Sequence, residues 1–312
     1  MNKPKVYIDG KEGTTGLQIY ERLGTRTDIE LLLIDEDKRK DTEERRKFLN
    51  AADLVFLCLP DAAAMEAVSL IDNPNTRVID ASTAHRTNPE WNYGFPELSA
   101  DHRAAIAQSK RVANPGCHAT GFISVVYPMI AMGILPKVTP VSSFSLTGYS
   151  GGGKKMIADY EGEAKTEAMA SPGIYATAQS HKHLPEMQVI CGLAGKPVFC
   201  PIVDDYYKGM ATTVPFHMSQ LQGVSTVQEV RDRLAAHYAG QKMVTVAEGT
   251  ASGSLYGGAK AGSDCMTLVV AGNDERFTIT ALFDNLGKGA SGAAVQNMNI
   301  MLGLDETTSL SV

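Results

Sequence analysis

The feature that most constrains the fold is a regular alternation of strand-like and helix-like segments over the first third of the chain. Apolar runs typical of strands lie at 5–9, 29–35, 53–60 and 76–82, and helical patterns lie between them at 14–24, 41–51 and 62–71. The run DLVFLCLP at 53–60 is apolar on both faces, as expected in the middle of a parallel sheet. We therefore predict an α/β fold that contains a doubly wound parallel sheet.

Glycines recur every three residues directly after the first predicted strand, at Gly10, Gly13 and Gly16, with Thr14 and Thr15 before the last one. Such a turn lets the backbone approach a pyrophosphate, whose charge a helix N-terminus stabilises. The spacing departs from GxGxxG, and a plain turn is the alternative. Because the turn joins the first strand and helix of a βαβ unit, we favour a dinucleotide-binding site.

The loop after the second strand carries charges of both signs. Asp35 lies 19 residues beyond Gly16, where an acid usually holds the ribose diol of NAD. Lys38, Arg39 and Lys40 follow, and these cations either neutralise the 2′-phosphate of NADP or are ordinary solvated charges. The residues alone leave the choice between NADPH and NADH open.

Cys117 follows Asn-Pro-Gly and begins the apolar stretch CHATGFISVVYPMIAMG (117–133), which predicts a helix. A cysteine at a helix N-terminus is favoured as the thiolate, the nucleophilic form. An arbitrary cysteine is more often a small buried hydrophobe. The position of Cys117 at the carboxyl edge of the predicted sheet favours catalysis. The five cysteines are odd in number and lack CxxC spacing, which predicts reduced thiols and no cysteine-based metal site.

Three further segments carry candidate polar groups. SHKHLPE (180–186) offers His181 and His183 with Glu186 as an acid/base group, although an ordinary loop is the alternative and a metal site would lack a third ligand. LTGYSGGGKK (146–155) contains Ser150 in a loop whose amides suit an anion, or is a flexible linker. Arg86, just past the fourth strand, lies at the sheet edge where ligands bind.

Charge and hydropathy exclude several classes of protein. The net charge of −6 argues against a binder of nucleic acid or anionic membranes, which relies on a basic excess. The sequence has no run of ~18 apolar residues to span a membrane, and the first apolar run is too short for a secretion signal. These observations predict a cytoplasmic protein that acts on a small molecule.

Several motifs together resemble one enzyme family. VANPGCHATGF (112–122) looks like the active-site signature of the N-acetyl-gamma-glutamyl-phosphate reductases, SHKHLPE resembles their HxHxPE element, and DNLGKGASGAAVQNMNIMLGLDET (284–307) resembles their C-terminal signature. KEGTTGLQIYERL and DASTAHR also fit, so the resemblance spans essentially the whole chain and is nearest to the shorter form of the family. His118 and the Asp35-Glu36-Asp37 loop depart from the longer form, which usually has an aromatic residue or Asn, and Ser-Arg, at these places.

The resemblance implies a semialdehyde-dehydrogenase-like architecture. Residues 1–116 and 285–312 would form the dinucleotide-binding domain, to which the C-terminal helix returns. Residues 117–284 would form an α+β catalytic and oligomerisation domain, whose alternating runs suit a mixed or antiparallel sheet. By the same resemblance we expect a homodimer or homotetramer.

The resemblance also implies a reaction, the NADPH-dependent reduction of N-acetyl-L-glutamyl 5-phosphate through a thioester on Cys117, without a metal, in arginine biosynthesis. His181 is the expected proton-transfer group, with His183 second. The expected substrate-binding residues are Arg86, Ser150, His183 and Glu186. The expected cofactor-binding residues are Gly10, Gly13, Thr14, Thr15, Gly16, Lys38, Arg39, Ser82, Asn285 and Gly289.

Three other functions remain as alternatives. A related acyl-phosphate reductase, such as aspartate-semialdehyde or glyceraldehyde-phosphate dehydrogenase, would share the nucleophile and differ in substrate. A cysteine hydrolase would not need the glycine turn, and a non-catalytic dinucleotide sensor would tolerate the loss of Cys117. For the glycine- and serine-rich stretch at 251–265 we predict an ordinary surface loop.

Overall fold

In a computed structural model, which describes residues 3–248 and 253–312, the chain divides into two compact units. Unit 1 comprises Met1–Pro115 and Ala290–Leu310, and unit 2 comprises Gly116–Gly289 and Ser311–Val312. The domain limits expected from the sequence differ from this division at residue 116, at 285–289 and at 311–312, all of which belong to unit 2 here.

The strands and helices have the following bounds. The strands are β1 Lys5–Asp9, β2 Glu30–Leu32, β3 Leu54–Leu57, β4 Arg77–Asp80, β5 Asn92–Tyr93, β6 Arg111–Ala113, β7 Ser142–Gly148, β8 Gly173–Ile174, β9 Val198–Asp204, β10 Met210–His217, β11 Val244–Val246, β12 Met266–Gly272 and β13 Arg276–Phe283. The helices are α1 Thr14–Leu23, α2 Thr42–Ala51, α3 Asp61–Ser69, α4 Ala100–Gln108, α5 Cys117–Ala131, α6 Gly153–Glu161, α7 Leu184–Cys191, α8 Val227–His237 and α9 Gly292–Met301. Among the described helices, none is both long and apolar enough to cross a membrane.

Unit 1 is built on a parallel sheet in the order β2-β1-β3-β4-β6-β5. Side chains alternate between its faces, so Val6 and Ile8 pack with residues of α1, α4 and α9, whereas Tyr7 packs with residues of α2 and α3. Helices therefore cover both faces, which confirms the predicted doubly wound sheet and the return of the C-terminal helix to it.

The second strand is shorter than its apolar run suggests. The sequence predicts a strand at 29–35, but β2 contains only Glu30–Leu32, and Leu33 is 54% exposed. β2 is the edge strand of the sheet, and it pairs on one side only. The chain leaves the sheet before the charged residues from Asp35 onward, which stay in solvent.

A polar cluster forms where β4 ends. Asp80, which is fully buried, accepts hydrogen bonds from the backbone N–H and the hydroxyl of Ser82 at 2.9 and 2.7 Å. Its other close partner is His85 Nδ1, at 2.6 Å. The His85 ring in turn stacks on Trp91 with a centroid separation of 4.0 Å. Ser82, expected near the cofactor, thus belongs to a cluster that orders this sheet edge.

Unit 2 contains a mixed seven-stranded sheet in the order β11-β12-β13-β10-β7-β9-β8. The pairs β7 with β9 and β11 with β12 are parallel, and the other pairs are antiparallel. This confirms the predicted mixed sheet. Along β7 the hydroxyls of Ser143 and Ser145 face inward and are fully buried, while Phe144 between them is 46% exposed.

The predicted loop at 251–265 is only partly described. Residues 251 and 252 lie outside the described residues. From residue 253 the chain includes a short 3-10 helix, Gly257–Lys260, before it enters β12.

Candidate active site

Cys117 is the first residue of α5, as the sequence predicts. Gly116, with φ −81° and ψ 145°, precedes the helix, and its N–H donates to Glu186 Oε1 at 2.8 Å. The unpaired amides and dipole of this helix N-terminus stabilise a thiolate. A methyl group at Gly289 would lie 3.0 Å from Cys117 Cβ, a tight contact, so a glycine at this position favours the close approach of that segment to the cysteine.

The structure brings the two predicted histidines together with the residue that follows Cys117. The ring centroid of His181 lies 4.7 Å from that of His183 and 5.6 Å from that of His118. Phe199 packs edge-on against both His118 and His181, at 5.2 Å in each case. The acid/base candidates of the 180–186 segment therefore lie beside the N-terminus of α5.

His181 has a defined tautomer in this arrangement. Its Nδ1 accepts a hydrogen bond from the backbone N–H of His183 at 3.2 Å. A neutral imidazole that accepts at Nδ1 carries its proton on Nε2. Since His181 is half-buried while His183 is only 4% exposed, Nε2 of His181 is the better placed of the two groups for proton transfer.

His118 is the residue that sequence reasoning treated only as a departure from a family pattern. It is 2% exposed, its Nδ1 lies 2.7 Å from Ser145 Oγ, and its Nε2 lies 2.6 Å from the Tyr175 hydroxyl. Ser145 Oγ lies 2.8 Å from Thr212 Oγ1. Burial, and secondarily the proximity of His181, lower the pKa of His118 to about 3, so its imidazole is neutral.

Tyr175 was also missed, because no motif surrounds it. Its N–H donates to Pro201 O at 3.1 Å, which extends the pairing of β8 with β9. Burial and the nearby charge of Cys117 raise the pKa of Tyr175, so the phenol keeps its proton. The next turns are tight, since Ala176 and Gln179 have φ of 51° and 54°, and the side-chain amide of Gln179 pairs with the backbone of Phe199.

Two more predicted site residues, Glu186 and Asn285, bind backbone amides, and Asn285 also binds Ser150. Glu186 is 1% exposed and accepts the N–H of Gly116, so it fixes the turn that precedes Cys117. Asn285 donates from Nδ2 to Ser150 Oγ at 3.0 Å and accepts from Gly209 N–H at 2.8 Å. The glycine run after Ser150 forms a 3-10 turn that leads into α6 rather than a flexible linker.

Arg86 lies in unit 1, buried at the sheet edge where the sequence predicts it. Its Nε donates to Asn114 O at 2.9 Å, and its Nη2 donates to Ala81 O at 3.1 Å. These two carbonyls fix the plane of the guanidinium group. A guanidinium group is the side chain best suited to a bidentate contact with an oxyanion.

Unit 1 also contains a pocket of about 530 Å³ beside the glycine turn. The lining residues come from the end of β1, the following turn, the segments after β2 and β3, and α2. They include Asp9, Gly10, Lys11, Glu12, Gly13, Glu36, Arg39, Lys40, Arg45 and Pro60. Thr14 and Thr15 begin α1 at the same turn. Its size and its glycine-rich wall suit a dinucleotide.

The three glycines of this turn have different steric roles. A Cβ at Gly10, where φ is +87°, would lie 2.4 Å from Cys58 O, and one at Gly16 would lie 2.4 Å from Gly10 O. At Gly13 the nearest atom, Gly10 O, would be 3.4 Å away, which is ordinary contact. Gly10 and Gly16 are therefore required by the fold of the turn, whereas Gly13 keeps the pocket wall free of a side chain.

Several charged residues in and beside the pocket form ion pairs. Arg45, a buried residue of α2, donates from Nη2 to Asp9 Oδ2 at 2.8 Å and from Nη1 to Glu66 Oε2 at 3.2 Å. Arg39 lines the pocket and pairs with Glu36 at 3.1 Å. Lys38 pairs instead with Asp35 at 3.6 Å, and Lys40 joins Arg39 in the lining.

All five cysteines are free thiols. Over residues 3–248 and 253–312, no three or more His, Cys, Asp or Glu side chains are arranged as ligands for a metal ion. Burial raises the pKa of Cys58 and Cys191, which marks both as inert thiols in contrast to the half-buried Cys117 at its helix N-terminus.

Comparison with known proteins agrees with this description. Residues 24–106 match the NAD-binding domain of semialdehyde dehydrogenases, and residues 117–285 match the semialdehyde dehydrogenase dimerisation domain. N-acetyl-gamma-glutamyl-phosphate reductase 2 from Nostoc sp. is 46% identical, over 99% of this chain and 100% of its own length. The N-acetyl-gamma-glutamyl-phosphate reductase from Chelativorans sp. is 48% identical, over 96% of this chain and 98% of its own.

Solved structures share the fold at low sequence identity. Aspartate semialdehyde dehydrogenase II from Vibrio cholerae superposes with a TM-score of 0.73 at 15% identity, over 97% of this chain and 99% of its own. Aspartate semialdehyde dehydrogenase from Candida albicans gives a TM-score of 0.67 at 14% identity, over 96% of this chain and 99% of its own. With full-length relatives near half identity and both domains matched, the chain belongs to the semialdehyde dehydrogenase family and, within it, to the N-acetyl-gamma-glutamyl-phosphate reductases.

Proposed function

We propose that Cys117 is the nucleophile, and His181 the proton-transfer group, of an NADPH-dependent N-acetyl-gamma-glutamyl-phosphate reductase. The enzyme converts N-acetyl-L-glutamyl 5-phosphate to N-acetyl-L-glutamate 5-semialdehyde and phosphate, a reaction of arginine biosynthesis. The observation that carries the residue assignment is the packing of His181 and His183 against His118, directly beside Cys117 at the start of α5.

The chemistry follows from the acyl phosphate. The Cys117 sulfur attacks the acyl carbon, the bond from that carbon to the phosphate oxygen breaks, and inorganic phosphate leaves with the electron pair. The thioester that remains is a far better hydride acceptor than a carboxylate. NADPH, when bound, supplies that hydride. The tetrahedral intermediate then loses the Cys117 thiolate, and the aldehyde is released.

Two species in this reaction carry negative charge, the Cys117 thiolate and the tetrahedral intermediate, and groups of the protein stabilise both. The N-terminus of α5 stabilises the thiolate both as attacking group and as leaving group. The Nε2 proton of His181 balances negative charge on the oxygen of the tetrahedral intermediate and returns when the carbonyl re-forms. Glu186 keeps Gly116, and hence the start of the helix, in place.

Substrate recognition is assigned to cationic and hydroxyl groups. Arg86 is proposed as the main anchor for an oxyanion of the substrate, because its guanidinium is held rigidly by two carbonyls. Ser150 and His183 complete the proposed substrate-binding set together with Glu186. The hydrogen bond that Asn285 Nδ2 donates to Ser150 Oγ supports a positioning contribution for both residues in unit 2.

The cofactor site is proposed at the pocket of unit 1. The turn from Gly10 to Gly16, with Thr14 and Thr15 at the start of α1, would hold the pyrophosphate. Arg39, which lines the pocket, would contact the 2′-phosphate of NADP together with Lys40, and this pair would set the preference over NADH. The proposed set of cofactor contacts is completed by Lys38, Ser82, Asn285 and Gly289.

The assembly is proposed to be a homodimer or homotetramer in the cytoplasm. Large apolar side chains on neighbouring strands of unit 2 support association through this sheet. Phe144 is 46% exposed, Val198 is 57% exposed and Ile174 is 62% exposed. Apolar side chains of this size, exposed on adjacent strands, are typical of an interface.

The reverse reaction tests the proposal. Purified protein receives N-acetyl-glutamate semialdehyde, phosphate and NADP, and formation of reduced nicotinamide is followed for the wild type, Cys117→Ser and Cys200→Ser. We expect activity that requires phosphate, that is abolished in Cys117→Ser and that persists in Cys200→Ser, whose half-buried thiol lies on β9. Activity that survives in Cys117→Ser would exclude the covalent mechanism, and preference for aspartate semialdehyde would exclude the substrate.

A further inference from the structure

We propose that His118 is a positioning residue that orients a buried hydrogen-bond relay, from Thr212 through Ser145 and His118 to Tyr175, so that the Tyr175 hydroxyl donates its proton toward the Cys117 sulfur. The inference deepens the proposed function and rests on the role of Cys117 given there. It concerns four side chains of unit 2 that come from α5, β7, β10 and the segment after β8.

The relay is continuous, and three of its four residues are buried. Tyr175 Oη to His118 Nε2 measures 2.6 Å, His118 Nδ1 to Ser145 Oγ measures 2.7 Å, and Ser145 Oγ to Thr212 Oγ1 measures 2.8 Å. Ser145 and Thr212 are fully buried, and His118 is 2% exposed. Only Tyr175 is half-buried, so only its end of the relay can meet a reactant.

The direction of the relay follows from a count of protons. Ser145 and Thr212 each have one hydroxyl proton, and in the described part of the chain their hydrogen-bond partners are one another and His118. If His118 carried its proton on Nδ1, it would donate to Ser145. The two buried hydroxyls would then have two protons and a single hydrogen bond between them, and one proton would lack an acceptor.

The other tautomer satisfies every buried group. Thr212 donates to Ser145, Ser145 donates to His118 Nδ1, and His118 donates from Nε2 to the oxygen of Tyr175. A buried hydroxyl without an acceptor is costly, so this second arrangement is strongly preferred. It leaves the Tyr175 proton outside the relay, pointing away from His118.

The neutral state of His118 is essential to this arrangement. An imidazolium would donate from both nitrogens and would force Ser145 to accept, which recreates the unpaired proton. Burial and the neighbouring His181 keep His118 neutral by lowering its pKa. The relay therefore keeps one direction at any pH well above about 3, the pKa of His118.

Tyr175 lies beside the start of α5, because its hydroxyl contacts His118, the residue that follows Cys117, and its ring centroid lies 6.0 Å from that of His181. Burial is the main cause of the raised pKa of Tyr175, and the charge of Cys117 adds to it, which agrees with this placement. The other titratable groups around the cysteine are His118, which follows it on α5, His181 and His183 from the segment before α7, and Glu186 of α7, which binds the preceding amide. Unlike these groups, Tyr175 combines a half-buried hydroxyl with a proton that the relay directs away from His118.

The consequence is a more acidic Cys117. A hydrogen bond donated to a thiolate stabilises that form and lowers the pKa of the thiol. Loss of the Tyr175 donor, or of the residue that orients it, should therefore raise the pKa of Cys117 by about one unit, which is roughly a tenfold smaller thiolate fraction near neutrality.

The test is the pH dependence of Cys117 alkylation by iodoacetamide, followed by mass spectrometry of the peptide that contains it. Tyr175→Phe and His118→Phe should each shift the profile upward by about one pH unit, and the double variant should shift it no further. Shifts that add in the double variant, or no shift in Tyr175→Phe, would overturn the proposal.

Two serine-to-alanine variants test the relay with a smaller change, in case the His118 variant does not fold. Ser145 and Ser143 are both fully buried on the same face of β7, and Ser143 Oγ has no hydrogen-bond partner among the described residues. Ser145→Ala should shift the alkylation profile in the same direction as Tyr175→Phe, and Ser143→Ala should leave it unchanged. Equal profiles for the two alanine variants would contradict the relay.

The tautomer itself is measurable without any activity. Imidazole ¹⁵N chemical shifts of the full-length protein, with His118→Phe to assign the signal, should show the proton of His118 on Nε2 and no titration from pH 5 to pH 9. A proton on Nδ1 would refute the inference whatever the role of Cys117. If the ¹⁵N shifts place the proton of His118 on Nε2 but the Cys117→Ser variant is active, the proposed function would be refuted and the relay would stand.

Discussion

The pocket of unit 1 and the cysteine cluster of unit 2 are built in opposite ways. In the pocket, the decisive residues are glycines, and Gly10 and Gly16 are needed because a Cβ at either would lie 2.4 Å from a backbone oxygen. In the cluster, the decisive atoms belong to side chains such as Tyr175 and His118, whose hydroxyl and Nε2 lie 2.6 Å apart. One site depends on the absence of side chains, and the other depends on their identity.

This difference predicts how each site fails when it is changed. A side chain added to the pocket should weaken binding of the dinucleotide or destabilise the fold, with little effect on proton transfer. A side chain removed from the cluster should change rates and pH profiles while cofactor binding is retained. Four experiments separate these outcomes.

The largest effect is expected at His181. His181→Gln should lower kcat by ~10²–10⁴, because a positioned acid/base group is lost. The dissociation constant for NADPH, measured by titration, should remain within about twofold of the wild-type value. His217→Gln, at an exposed histidine at the end of β10, is the matched control and should retain full activity. Loss of NADPH binding in His181→Gln would break the separation between the two sites.

Next in size is the contrast between two glycines of one turn. Gly16→Ala should destabilise the protein by about 1–3 kcal/mol, because its methyl group meets the backbone of Gly10. Gly13→Ala should leave the melting temperature unchanged and weaken NADP binding roughly tenfold, or ~1.4 kcal/mol. Thermal melts with and without NADP distinguish them. Equal melting temperatures for both variants would show that the turn tolerates side chains.

A smaller effect is expected in the pH dependence of stability. The pKa of His118 is lowered to about 3 in the folded protein, against ~6.5 when unfolded, so the unfolded chain binds more protons between these values. Its contribution to stability is present above pH 6.5 and is lost as the pH falls, at ~1.4 kcal/mol per unit. Between pH 6.5 and 5 this amounts to about 2 kcal/mol. His118→Phe should lack this component in denaturant titrations, and an unchanged slope would contradict a buried neutral His118.

The smallest effect concerns cofactor choice. Arg39→Ala combined with Lys40→Ala should reduce the ratio of kcat/KM for NADPH to that for NADH about tenfold, by removing the two lining cations that follow β2. Lys47→Ala, at an exposed lysine of α2 outside the pocket, is the control and should not alter the ratio. If the double variant keeps its preference, the charges after β2 are merely solvated.

Most of the fold could be predicted from local sequence patterns. The all-apolar run of β3 predicted a central strand, and the Asn-Pro-Gly turn predicted that α5 would begin at Cys117. The end of β2 was misjudged because apolar content continues to Ile34, whereas the edge of a sheet offers no second partner to extend the strand. Periodicity reports burial within a segment, but it does not report where a neighbouring strand ends.

The relay could not be predicted because its members are distant in sequence. Ser145 and Tyr175 are 27 and 57 positions from His118, and Thr212 is 67 positions beyond Ser145. Serine, threonine and tyrosine on strands are ordinary residues, and only the register of β7 with β10 brings Ser145 opposite Thr212. Arg45 illustrates the same difficulty in unit 1, since within a charged helix it resembles a solvated residue and is in fact buried against Asp9.

The stacking of His85 on Trp91 has an optical consequence. Trp91 is the sole tryptophan of the chain and belongs to unit 1, so indole fluorescence originates in that unit alone. Unit 2 contributes only tyrosine emission at shorter wavelength. Selective excitation of the indole therefore gives a label-free signal for the melting of the dinucleotide-binding unit, separate from the melting of the unit that contains Cys117.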